Sequence, residues 1–197
     1  MTRATGDTRW LEMYSNYSGA TGHIAFRGYA SSTQALLVSG AALVVTSSDT
    51  NGILPNDGNW HNVVLTVDSA SGATGGVNIY LDGLLAGTGN NSDKTNDFEY
   101  MKVGALVHNG DNTTHYSPMT VSQFSVYDDE LSAAQVTNVW AGGNSIDERG
   151  LARAPVHFYR FGNDAAVFPR VVDIGSGGDA GTAENMSGLE VVAEHPS

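Results

Sequence analysis

The sequence predicts an all-β protein: two antiparallel sheets packed as a sandwich, with one short helix and a C-terminal arm. Three observations lead there. Short runs of alternating apolar and polar residues recur along the chain, and a period of two is the mark of a half-buried strand. Between the runs lie clusters of Gly, Asn, Asp and Ser, with 24 Gly among 197 residues, which suit turns better than long helices. A single stretch combines helical spacing with capping residues at both ends.

The expected strands, in chain order, are "HIAFRGYA", "QALLVSGAALVVTSS", "WHNVVLTVDS", "GVNIYLDGLLAGT", "YMKVGALVH" and "MTVSQFSVYDD". In the third, Val63, Leu65 and Val67 share one face. In the fourth, Val77, Ile79 and Leu81 do the same, with Asn78, Tyr80 and Asp82 opposite. Asp82-Gly83 between "NIYL" and "LLAG" predicts a hairpin, because a type I′ turn needs two positive φ angles that Asp and Gly tolerate. The helix is expected in "DELSAAQVTNVWAGG". Ser132 is its N-cap, Gln135 completes a capping box, and Leu131 with Val136 forms a hydrophobic staple. Val136, Val139 and Trp140 lie on one face, and Gly142-Gly143 stops the helix. Asp128, Asp129 and Glu130 stand near its positive end.

Beyond Gly143 the character changes. "NSIDERGLARAP" reads as a polar linker, followed by the aromatic strand "VHFYRFG" and the Gly-rich "VVDIGSGGDAGTAENMSGLEVV". Residues 1–143 are therefore expected to form the sandwich core, and residues 144–197 an arm returning to its edge or to a neighbouring subunit. Strand edges left open invite pairing, which gives such an arm a purpose. No internal repeat of fixed period is evident.

Composition excludes several functions. A formal net charge of -12, with only nine Lys and Arg, argues against nucleic acid and against anionic membrane surfaces as partners. No stretch approaches the ~18 apolar residues of a membrane span. Without cysteine there are no disulfides and no thiolate zinc sites. The first residues, "MTRATGDTRWLEMYS", hold no apolar core of a secretory signal.

The segment "DGNWHNVVLTVD…GGVNIYLDGLLAGTG" resembles the laminin G-like, concanavalin A-like jelly-roll family, whose members carry Trp-His before an alternating strand and then Tyr-x-Asp-Gly at a hairpin. "YMKVGAL" is similar to the family's strand ending in Gly-Ala, and "MTVSQFSVYDDELSAAQVTNVW" to its last core strand and helix. The C-terminal "HFYRFGND…VVDIGSGGDAGTAENM" resembles the family's leader strand and Gly-rich turn, displaced to the end of the chain. The resemblance implies a concanavalin A-like sandwich and a choice among structural, glycan-binding and glycosidase roles.

Individual residues discriminate among these. Within the family pattern His61 starts a core strand, bonding backbone while Trp60 packs, so it is read as scaffold. Retaining glycosidases need two carboxylates close together on one strand face, as in Glu-x-Asp-x-x-Glu. Here the close alternations are Asp97 with Glu99, in a turn region, and Asp128 with Glu130, before the helix. No catalytic residue is assigned. The six His are scattered, and His108 and His115 flank a loop without the spacing of a zinc site. Calcium needs six to eight oxygens without fixed spacing. "GNNSDKTNDFE" and "HNGDNTTHY" crowd such groups, and Asp93, Asp97 and Asp111 are the candidate calcium ligands, chosen by residue type.

The expectation is a non-catalytic structural or interaction protein displayed on a large assembly, namely a bacteriophage virion decoration or fibre/tail-associated protein. It would be a homo-oligomer on the virion surface, bound to capsid or tail proteins. A calcium-dependent glycan-binding adhesion module, extracellular in setting, is the first alternative, and a glycoside hydrolase the second.

Overall fold

The computed structural model describes residues 2–3, 10–15, 24–31, 34–35, 37–38, 41–42, 44–46, 58–68, 75–91, 100–101, 105–108, 112–116, 120–161, 170–179 and 181–182, with side chains at 58–68, 76–88, 120–161 and 171–179. The chain divides into two compact units, Met1–Met119 and Thr120–Ser197. Every strand pairing described is antiparallel.

In the first unit the strands are β1 (Thr2–Arg3), β2 (Trp10–Ser15), β3 (Ile24–Ser31), β4 (Gln34–Ala35), β5 (Leu37–Val38), β6 (Ala41–Ala42) and β7 (Val44–Thr46). They continue with β8 (Val63–Val67), β9 (Gly75–Leu81), β10 (Leu84–Asn91), β11 (Tyr100–Met101), β12 (Ala105–His108) and β13 (Asn112–Tyr116). One sheet runs β11-β1-β2-β3-β4, with β7 also on β3, and a second runs β10-β9-β8. The run "QALLVSGAALVVTSS", expected as one strand, is divided. β5 and β6 fold back on each other, Leu37 opposite Ala42 and Val38 opposite Ala41, before β7 joins β3.

The second sheet follows the sequence closely. Val77, Ile79 and Leu81 of β9 are all but fully buried, while Tyr80 and its neighbour Thr66 of β8 are buried on the opposite face. The central strand is thus covered on both sides. Asp82 and Gly83 have φ of 52° and 76°, the two positive values a type I′ turn needs. In β10 the register slips between Leu85 and Gly87, a bulge that turns Ala86 inward, where it is 5 % exposed.

The second unit holds β14 (Gln123–Val126), helix α1 (Ala133–Trp140), β15 (His157–Arg160), β16 (Arg170–Val171) and β17 (Gly181–Thr182). The α1 capping box is present: Ser132 Oγ accepts from Gln135 N–H at 3.4 Å, and Gln135 Oε1 from Ser132 N–H at 2.8 Å. Leu131, Val136 and Val139 are buried, as the staple and face require. The helix stops one residue earlier than its glycines suggest. Ala141 already takes the left-handed conformation, φ 49°, with its N–H on Thr137 O. Gly142 and Gly143 follow at φ 68° and 90°. β15, from the segment resembling a leader, pairs with β14, from the segment resembling a last core strand: Phe124 faces Tyr159 and Ser125 faces Phe158. Phe158 is fully buried.

Candidate functional site

Among the described residues polar side chains gather at three places; at two of them a carboxylate serves the backbone, and at the third it joins side chains across a strand face. In the first unit, His61 Nδ1 lies 2.9 Å from Asp82 Oδ2. Asp82 Oδ1 accepts the Asn62 N–H at 2.9 Å, and the Asp82 N–H returns to Asn62 O at 2.9 Å. A carboxylate only accepts, so the ring nitrogen donates. The turn aspartate thereby fastens the hairpin tip to the entry of β8. His61 thus takes part in this fastening through the Asp82 side chain. Trp60 does not pack inside: it is 37 % exposed.

The second unit repeats the histidine–aspartate–backbone part of this arrangement. His157 Nδ1 lies 2.7 Å from Asp173 Oδ2, and Asp173 Oδ1 accepts the N–H of the next residue, Phe158, at 2.8 Å. Two further N–H groups converge on the same carboxylate, from Gly175 at 2.8 Å and Asp179 at 3.0 Å. Burial alone would push the Asp173 carboxyl up. The Phe158 N–H, then the His157 ring and the Gly175 and Asp179 N–H groups outweigh it and hold the carboxyl below its ordinary value. The loop presses so closely on β15 that a Cβ on Gly175 would stand 2.8 Å from Phe158 N and run into Val156 O, and one on Gly177 would enter the His157 ring. Small size, not a positive φ, is what these two glycines supply.

The third cluster centres on Glu148, in the stretch read as a polar linker. Its side chain is buried and Oε2 accepts from Ser125 Oγ and Tyr127 OH, each at 2.6 Å. Gln123, two residues before Ser125, donates to Ser145 Oγ and Ile146 O at 3.0 Å. Residues 123, 125 and 127 share one face by strand alternation, so residues 145–148 lie strapped across that face. Burial pushes the Glu148 carboxyl up, and the two hydroxyl donors only partly offset it. Burial and the adjacent carboxylate likewise push the Tyr127 phenol far up.

Asp93, Asp97 and Asp111, the candidate calcium ligands, lie outside the described residues, as does Glu99. Asp128 and Asp129 are ion-paired with Arg153 at 3.2 and 2.9 Å. Among the described residues no three His, Cys, Asp or Glu side chains converge as a metal site. No described helix is long and apolar enough to cross a membrane. The β12–β13 register sets Asn112 opposite His108 and carries His115 toward the other end of the hairpin. A cleft beside α1, lined by Leu131, Gln135, Val139, Leu151 and Arg153, has room for about one water molecule, near 10 Å³.

A paired Trp-His and Asp-Gly joined by a hydrogen bond, on an antiparallel sheet, is the arrangement whose sequence resembles jelly-roll domains. A family model, the concanavalin A-like lectin/glucanases superfamily, matches residues 2–137. The chain belongs to that superfamily. The match covers β1 to β14 and most of α1, and so runs across the junction between the two units. No curated protein and no solved structure matches the chain.

Sequence reasoning passed over Asp173 and Glu148. For Asp173 a signal existed: "VH" and "VVDIG" place a His and, 16 residues on, an Asp close to a Gly, as "WH" and "YLDG" do over 21 residues. For Glu148 there was none, since one acid in a charged linker looks solvated.

Proposed function

We propose that the chain is a non-catalytic interaction module displayed on a large assembly, a bacteriophage capsid or tail being the setting and a homo-oligomer the working form. The observation that carries the non-catalytic reading is the use made of its carboxylates. Asp82 and Asp173 each receive a backbone N–H and a histidine, and Glu148 receives two hydroxyls. Each of these three described carboxylates is engaged by groups of its own chain, which supports a structural use of them. A cysteine-free chain folds equally well in a reducing cytoplasm, where virion proteins are made. We read the superfamily match as a concanavalin A-like sandwich, and the antiparallel sheets of the first unit support that.

The second reading, a calcium-dependent glycan-binding module in an extracellular setting, draws on the superfamily's own lectin description. Asp93, Asp97 and Asp111 would then hold the ion. Binding of the purified chain to glycan arrays, with and without chelator, and to phage capsids and tails separates the two. Capsid or tail binding indifferent to chelator supports the first reading. Glycan binding abolished by chelator replaces it with the second, and release of reducing sugar from a polysaccharide refutes both.

A further inference from the structure

Residues 145–148 are fastened to one face of β14 by four hydrogen bonds, and two of the four end on a single atom, Glu148 Oε2. Glu148 is only 4 % exposed. Ser125 Oγ and Tyr127 OH both donate to Oε2 at 2.6 Å, while Oε1 takes no bond among the described residues. An oxygen that accepts two hydroxyls serves equally as the carbonyl of a neutral acid, and Oε1 is then left to carry the proton. The site therefore suits a protonated Glu148 without moving an atom.

The ionised form fares worse, because no cation comes to meet it. On β14 its neighbours are the neutral hydroxyls of Ser125 and Tyr127, and α1 carries no charged residue. In its own turn Asp147 repels it, and Arg149 is already held by Asp147 at 2.6 Å. Arg153 is held by Asp128 and Asp129, and His157 by Asp173. Arg160, opposite Gln123 on β15, acts on Asp147. Among the described residues no cation is ion-paired with Glu148. Ionisation strengthens the two hydroxyl bonds, but the burial of an unpaired charge outweighs them. Water relieves that charge once the segment lifts.

We propose that residues 145–150 form a proton-operated latch: neutral Glu148 keeps the segment fastened to β14, and ionised Glu148 releases it and opens the Arg149–Gly150 bond to proteolysis. The latch belongs to the second unit alone and is separate from the assembly reading above. In the fastened state the Arg149 side chain is 46 % exposed, but its backbone is wound in a turn. Asp147 Oδ1 accepts the Arg149 N–H, Asp147 O the Gly150 N–H and Glu148 O the Leu151 N–H, each at 3.1 Å. A protease needs an extended segment, so cleavage there follows the fraction of open latch.

The test is brief digestion of the full chain with an arginine-specific protease across a pH series, with the cut sites read by mass spectrometry. Glu148→Gln, a neutral side chain whose Oε1 can accept both hydroxyls, is digested alongside and cancels the protease's own pH profile. Cleavage of the wild type after Arg149, relative to the variant, is expected to rise several-fold as pH climbs above the ordinary carboxylate range. One proton allows at most about tenfold per pH unit. Cleavage after Arg160, inside β15, should show no matching rise. A ratio that stays flat or falls with pH overturns the latch. An equal rise after Arg160 means that the whole ribbon unfolds, and overturns it too. Should Glu148→Gln fail to fold, magnetic resonance of the wild type decides. The Glu148 carboxyl carbon and the Gln123 and Ser125 amides are expected to titrate together, above the ordinary carboxylate range. A carboxyl that titrates within or below that range, or amides that stay still while it titrates, overturns the proposal.

Discussion

Neutralising Asp173 is the sharpest perturbation. In Asp173→Asn the amide oxygen can keep the Phe158 and Gly175 N–H groups, which leaves the new NH2 facing the Asp179 N–H and the His157 ring. One buried N–H then meets a donor, and two remaining bonds lose their charged acceptor. A hydrogen bond to a charged group is worth about 1.5–3 kcal/mol, and an orphaned buried donor costs about 1–3 kcal/mol. These overlap rather than add, so the loop at 173–179 is expected to lose about 2–4 kcal/mol. Two units in one chain make a single unfolding free energy ill-defined. The suitable assay is therefore amide exchange at Phe158, Gly175 and Asp179. At 1.4 kcal/mol per decade, exchange should quicken roughly thirty- to a thousand-fold, up to the limit set by global unfolding. Acid provides the cross-check. The Asp173 carboxyl is held low in the fold, so its contribution is complete above the unfolded carboxylate value and disappears as pH falls through the folded one. Wild-type protection should decline in that window and the variant's should not. Unchanged exchange in Asp173→Asn would refute the view that this carboxylate organises the loop.

Glu148 should show the opposite slope. Its carboxyl is raised by burial, so its contribution is complete below the unfolded value and is lost as pH rises through the folded one. Amides of residues 145–150 should lose protection as pH rises above the ordinary carboxylate range in the wild type and stay level in Glu148→Gln, and a wild-type slope of the other sign contradicts the assignment. Gly175→Ala should cost about 2 kcal/mol, because the methyl meets fixed backbone at Val156 and Phe158 rather than a movable side chain; amide exchange at Phe158 and Ile174 reads this, and unchanged rates mean the loop is not so close. Ser132→Ala should weaken α1 by about 1 kcal/mol through loss of the cap, visible as faster exchange at Gln135 and Val136, whereas equal rates would show that Gln135 alone caps the helix.

What the sequence determined by itself is what neighbours in the chain enforce. Alternation placed Val77, Ile79 and Leu81 on one buried face, the Asp-Gly dipeptide set the hairpin, and Ser132 with Gln135 began the helix. Each depends on contacts within about four residues, where backbone geometry leaves few choices. The family motif was legible for the same reason, since its spacing is kept. Only tertiary structure decided the partners. Asp82 looks like a turn former and Asp173 like part of a Gly-rich loop, yet each reaches back 21 and 16 residues to a histidine. Glu148 reads as a solvated linker charge until Ser125 and Tyr127, 23 and 21 residues earlier, enclose it. A carboxylate has the same letter whether water or a folded backbone satisfies it, and the fold alone settles which donors arrive.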